Sequence, residues 1–189
     1  MKEVINEVGH QNVVQIITDN AANYKAAEEV IESLFPHIYW TPCVVHTLNL
    51  ALKHICAAKN VEGNVATYEE SNWIIDIHGD VLAIKHFIMN HNMRLAIFSK
   101  FSPLELLSID DTRFASIIVM LKRLKLIKRG LQAMVISYEW STNRKDEIGK
   151  KNFVKEKIVN GDWWKNVSYI IDFTKPIYDM IRFYDTDKP

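Results

Sequence analysis

Three stretches of this chain carry residue types that could do chemistry. The first is TDNAANY at positions 18–24, which follows the apolar run Val13-Val14-Gln15-Ile16-Ile17. Asp19 therefore stands where a strand ends, and in open α/β sheets ligands gather at the carboxyl ends of strands. A carboxylate there can bind Mg²⁺ or Mn²⁺, hard ions that take oxygen ligands. The same Asp-Asn pattern also suits a turn or a helix N-cap, and by itself favours that use. The second is WTPCVVHTLNL, positions 40–50, in which Cys43 and His46 are three apart and share a helix face. A zinc site needs four ligands, or three and a water, so one C-x-x-H without a matching pair is a weak zinc motif. His54 and Cys56 fall on different faces of the same helix, and a packed thiol beside a hydrogen-bonded imidazole accounts for the pattern as well. The third is DDTRF, positions 110–114, where Asp110, Asp111 or Thr112 can cap the helix that follows.

That helix is basic. Residues 113–130 contain Arg113, Lys122, Arg123, Lys125, Lys128 and Arg129 and no acid. Ile117, Met120, Leu121, Leu124, Leu131 and Val135 mark its buried stripe, which leaves Lys122, Lys125 and Arg129 on the opposite side. An ordinary solvated face explains such a row, and so does a surface for phosphates. Residues 1–35 are acidic by contrast, with Glu3, Glu7, Asp19, Glu28, Glu29 and Glu32 against Lys2 and Lys25.

The elements that must hold these residues read as α/β at the front and helical behind. Val4, Ile5 and Val8 predict a short helix ended by Gly9. The β-branched run 13–18 predicts a strand buried on both faces and central in a sheet. Asn20–Asn23 turns the chain, and Ala26, Ala27, Val30, Ile31 and Leu34 form a helical stripe stopped by Pro36. Residues 38–41 read as a second short strand, and 43–58 as a helix. Residues 59–72 lack an apolar period and read as a linker. Helices follow over 73–90, 114–137 and 163–183, the last with a kink or break at Pro176, and the charged segment from Ser141 to Lys157 reads as surface. The domain division is thus 1–58, a linker over 59–72, and a helical region over 73–189. Two strands make a poor sheet on their own.

Composition bounds the class. The 189 residues are 48% hydrophobic and 24% charged with zero net charge, which fits a globular chain and gives no global pull toward a polyanion. Two cysteines form no disulfide framework and suit a reducing compartment. The N-terminus lacks the apolar segment of a signal peptide, and no apolar run approaches the ~20 residues of a membrane span. These features predict an intracellular chain and leave nucleus and cytoplasm undistinguished.

In their order, TDNAANY, HIYWTPCVVHTLNLAL, DDTRFAS, EWS and DWWKNVSYIIDFTKPIY resemble the central part of plant hAT-like transposases. More narrowly, they resemble the domain of unknown function found in domesticated and degenerate copies of those enzymes. The resemblance implies a partial ribonuclease-H-like core, two short strands with helices, followed by a mostly α-helical insertion. Such cores use a D…D…E triad to hold two metal ions about 4 Å apart that stabilise the entering and leaving oxygens at a DNA phosphate. By this resemblance Asp19 matches the second aspartate, a vestigial metal ligand unless the site is completed elsewhere. Cys43 and His46 match a C-x-x-H near the active site. Arg113 and Phe114 match an Arg-Trp pair that handles a flipped or hairpin DNA end. Phenylalanine replaces the tryptophan here, and stacking on a base remains open to it. Lys122, Lys125 and Arg129 complete the expected nucleic-acid-binding set.

The departures shape the expectation as much as the matches. The first aspartate is expected upstream of residue 1 and the glutamate beyond residue 189, and neither a BED-type zinc finger nor a dimerisation region is seen. Glu139, Asp185 and Asp187 are substitutes that no motif supports. The expected protein is a truncated, transposase-derived chain without catalytic activity and without a cofactor, Mg or Mn entering only with a complete site. Its expected partners are DNA and other transposase-derived proteins, with no membrane and no small-molecule substrate, and its expected place is the nucleus. Two other readings stand beside this one, a metal-dependent DNA transposase or nuclease completed by segments outside the chain, and a helical protein-interaction module.

Overall fold

The computed structural model describes residues 1–19, 22–57, 59–106, 114–142 and 147–184, with only the backbone of 22, 23, 25, 26 and 114. It divides into two compact units, Met1–Ala51 with Asp179–Pro189, and Leu52–Tyr178. As the sequence predicts, a small α/β element comes first and helices follow.

The first unit opens with α1 (Lys2–Val8), which ends at Gly9 with φ 87°, a left-handed conformation that glycine adopts without a Cβ penalty. Strand β1 (Gln15–Thr18), helix α2 (Ala22–Leu34) and strand β2 (Tyr39–Pro42) form one β-α-β crossover. The strands pair in parallel, Gln15 opposite Tyr39 and Thr18 opposite Pro42. β-Branched Ile16, Ile17 and Thr18 and aromatic Tyr39 and Trp40 suit this pleated pair. Ile5, Ile31 and Ile38 form its buried cluster, with Val13, Ile16, Phe35 and Trp40 packed around it. Helix α3 (Val44–Cys56) follows.

One prediction is overturned here. The run 13–18 is neither central nor buried on both faces, because β2 is its one strand neighbour among the described residues. Val14 is 70% exposed and Ile17 61% exposed, while Ile16 turns inward. Asn23 also belongs to α2 rather than to the preceding turn.

The second unit is a helical bundle. It comprises α4 (Val65–Met89), α5 (Asn92–Phe101), α6 (Phe114–Ile136), α7 (Tyr138–Thr142), α8 (Ile148–Val159) and most of α9 (Gly161–Tyr184). The expected stripe of α6 is buried at every position, joined by Ile118, Ile127 and Met134. The expected linker gives way to helix from Val65 onward, since α4 begins two turns before Trp73. The segment predicted to be all surface contains α8, which buries Val154 and Ile158 one turn apart. Helix α9 runs unbroken through Pro176.

Polar groups fix how the helices meet. The Asp80 carboxylate on α4 accepts from Lys157 of α8 and from the Trp163 indole of α9, both at 2.8 Å. Asn160 caps α9 by accepting from the backbone N–H groups of Asp162 and Trp163. Trp163 and Trp164 stand edge to face with centroids 4.9 Å apart, and the Trp164 indole donates to the Ile158 carbonyl. At Gly130, α6 lies so close to the end of α5 that a Cβ would stand 2.4 Å from the Phe101 carbonyl oxygen.

Candidate functional site

The carboxyl ends of β1 and β2 bring two of the expected residues together. Register places Thr18 beside Pro42, and proline has no N–H to continue a ladder. The Cys43 N–H nevertheless donates to the Thr18 carbonyl at 2.7 Å, so the ladder runs one step further on that side. Asp19 and Cys43 thus leave the sheet as adjacent residues, with Asp19 exposed. Cys43 starts α3: its carbonyl accepts from the Thr47 N–H at 3.0 Å and from the Thr47 hydroxyl at 2.9 Å. His46 lies on the first turn, half-buried and three residues from Cys43 on the helix. The Thr18 hydroxyl oxygen is buried beside them with no protein partner.

This cluster does not fit a metal on its own. Among the described residues no three or more His, Cys, Asp or Glu side chains are placed to hold one. Asp19 supplies one carboxylate, and two metals flanking a phosphate need several. Both cysteines are free thiols. Burial pushes the Cys56 thiol up to about 12, which leaves it protonated at neutral pH. Of the substitutes, Glu139 lies on α7 beside Lys100 at 3.6 Å, and its carboxyl is held below the usual range by a backbone hydrogen bond first and Lys100 second. Asp185 and Asp187 lie outside the described residues.

The described residues include part of the cationic row. Lys125 and Arg129 are exposed on α6, and with Arg123 they make no ion pair among the described residues. The Lys122 ammonium lies over the Tyr178 ring at 3.6 Å from its centroid, and Lys128 lies over Trp164 at 5.0 Å. Arg113, with the capping residues Asp110, Asp111 and Thr112, lies outside the described residues. Phe114 opens α6, but its side chain lies outside them as well.

Sequence reasoning missed a further polar cluster. Arg94 on α5 is 6% exposed, donates to the Phe87 carbonyl at 3.2 Å and pairs with Glu147. Its guanidinium also lies 3.7 Å over the Phe87 ring. Lys150 and then Arg94 hold the Glu147 carboxyl down at about 2. These groups border a cavity of about 400 Å³ that His86 and His91 also line. Arg94 and Glu147 are 53 residues apart, so no local spacing signals the pair.

Residues 1–70 match a domain of unknown function, DUF659. The match covers the β-α-β unit with Asp19, Cys43 and His46, and reaches the first turns of α4. No curated protein and no solved structure matches the chain. Among the described residues no helix is long and apolar enough to cross a membrane.

Proposed function

We propose that the chain is a hAT-transposase-derived nucleic-acid-binding polypeptide whose contact surface is the cationic side of α6. The order of its motifs supports the origin, and the row Lys122, Lys125 and Arg129 carries the binding. That row spans about 10 Å along the helix at 1.5 Å per residue. No acid interrupts it, since α6 contains none. Contacts of this kind read phosphates rather than bases, so binding to DNA is expected with little sequence preference. No step of phosphodiester chemistry is assigned to Asp19, because among the described residues no group of three or more His, Cys, Asp or Glu side chains is placed to hold a metal.

Three phosphate contacts predict a salt slope of about −2.7 on duplex DNA, so affinity falls about 40-fold between 50 and 200 mM salt. Fluorescence anisotropy with labelled duplex measures this. Replacing Lys125 and Arg129 with glutamine leaves one contact, and the slope shrinks to about −0.9, a fall of about 3.5-fold over the same range. An unchanged slope in that variant, or no binding at 50 mM salt, refutes the assignment. A second reading, a protein-interaction surface on the same helix, is favoured by Leu126, which is 74% exposed beside Lys125. Binding to a protein partner that ignores salt and is lost in Leu126→Ser selects it.

A further inference from the structure

Away from the α6 cations, α4 and α9 bring three aromatic rings together at the surface of the helical unit. Trp73 of α4 and Tyr169 of α9 have ring centroids 5.8 Å apart, and Tyr169 stacks on Phe173 at 6.1 Å with the planes 9° from parallel. Tyr169 and Phe173 are four apart and share a helix face. All three rings belong to the unit Leu52–Tyr178. The core side of α9 is filled by other residues, among them Trp163, Trp164, Val167 and Ile170, each buried. Tyr169 and Phe173 form a separate stripe that is 60% and 43% exposed, and Trp73 is half-buried beside it. Contiguous apolar surface left in water marks an interaction site, and tryptophan and tyrosine are the residues on which partners most often anchor.

The charge around the rings says what kind of partner fits. Glu69 and Asp76 lie one turn to either side of Trp73 on α4, and Asp172 lies one turn beyond Tyr169 on α9. All three carboxylates are exposed and make no ion pair among the described residues. Of the cations near them on α9, Lys165 is paired with Asp162 at 2.8 Å and Lys175 has a contact of its own. Ring faces attract cations as well. The bundle uses that contact elsewhere, with Arg94 over Phe87 at 3.7 Å and Lys122 over Tyr178 at 3.6 Å. Among the described residues no cation of the chain covers Trp73, Tyr169 or Phe173.

We infer that this aromatic face docks a basic segment of a partner protein. An arginine guanidinium lies against the Tyr169 and Phe173 rings, and neighbouring cations of the segment meet Glu69, Asp76 and Asp172. Arginine suits the face better than lysine, because its planar, weakly hydrated head stacks on a ring and still donates to carboxylates. Nucleic acid suits it poorly, since the same carboxylates repel phosphates. The face uses none of the α6 cations and does not rest on the nucleic-acid reading.

The experiment measures fluorescence anisotropy of labelled probes with the full chain at low salt. The probes are an octapeptide of alternating arginine and glycine, its lysine and citrulline counterparts, and an oligothymidylate. The arginine peptide is expected to bind saturably, the lysine peptide more weakly, and the uncharged citrulline peptide not at all. Tyr169→Ser/Phe173→Ser should weaken the arginine peptide at least tenfold. Asp76→Asn/Asp172→Asn should weaken it about fivefold. The second variant keeps the rings and changes only exposed positions, so the inference stays testable if the first destabilises the bundle. No saturable binding of the arginine peptide overturns the inference. Equal binding of the citrulline peptide, or affinity unchanged in either variant, does so too. Equal binding of the lysine peptide removes the stacked guanidinium. Oligothymidylate binding that is lost in the ring variant while the arginine peptide is unaffected gives the face to bases instead. Self-association of the parent chain that the ring variant abolishes, without peptide binding, gives it to a second copy.

Discussion

Gly130→Ala is the sharpest test of the packing that positions α6. A Cβ built there stands 2.4 Å from the Phe101 carbonyl oxygen and 3.2 Å from its carbonyl carbon. Real Cβ contacts do not fall below 3.0 Å, so α5 and α6 must separate by about 0.6 Å. The obstacle is backbone, which cannot rotate aside as a side chain can. Overpacking of this kind costs about 1–3 kcal/mol, and the clash with main chain places it near the upper end. Alanine in place of glycine inside a helix returns about 1 kcal/mol. The net expectation is a loss of about 2 kcal/mol by that balance. Gly79 is exposed in the middle of α4, and a Cβ added there would meet nothing within 4 Å, so Gly79→Ala shows the helical gain alone. The two variants should therefore differ by about 3 kcal/mol, or about 6–12 °C in Tm for a chain of this size. Thermal unfolding followed by circular dichroism, with urea titration as a check on cooperativity, reads the difference. If Gly130→Ala is as stable as Gly79→Ala, the close approach of α6 to α5 is wrong.

Other expectations concern charge and edges. Glu147 has a folded-state carboxyl at about 2 against an ordinary 4.5. Its contribution is full above about pH 4.5 and is lost as pH falls toward 2. Glu147→Gln should be less stable than the parent at pH 7, with the gap closing between pH 5 and 2.5; a gap independent of pH contradicts the Arg94–Glu147–Lys150 cluster. Val14 and Ile17 expose apolar surface on a two-stranded sheet, and such edges invite pairing between chains. Ile17→Lys should lower light scattering of concentrated protein while leaving the Tm within about 1 °C, since exposed positions tolerate substitution. Unchanged scattering would remove the edge as the cause of association.

Periodicity determines what the sequence discloses. Helix α6 is legible because its apolar residues recur over 23 positions at helical spacing. The start of α4 is hidden because Ser71, its buried residue there, is polar and satisfies itself by donating to the Thr67 carbonyl. Helix α5 is hidden in the same way, as buried Arg94 interrupts an apolar period of only ten residues. In α8, two buried apolar residues are outnumbered by lysines. At the candidate site, the strand-end rule places Asp19, but the Thr18–Cys43 hydrogen bond needs the parallel register, which no local pattern encodes.

The placement of the indoles has an optical consequence. Of the five tryptophans, Trp40 alone belongs to the β-α-β unit, while Trp73, Trp140, Trp163 and Trp164 belong to the bundle. Intrinsic emission is therefore weighted toward the bundle, and the edge-to-face Trp163–Trp164 contact should add an exciton couplet to its far-ultraviolet dichroism. A Trp40→Phe difference spectrum isolates the other signal. The parent and this variant, both unlabelled, together report the melting of the two units separately, without a fluorophore that could perturb either.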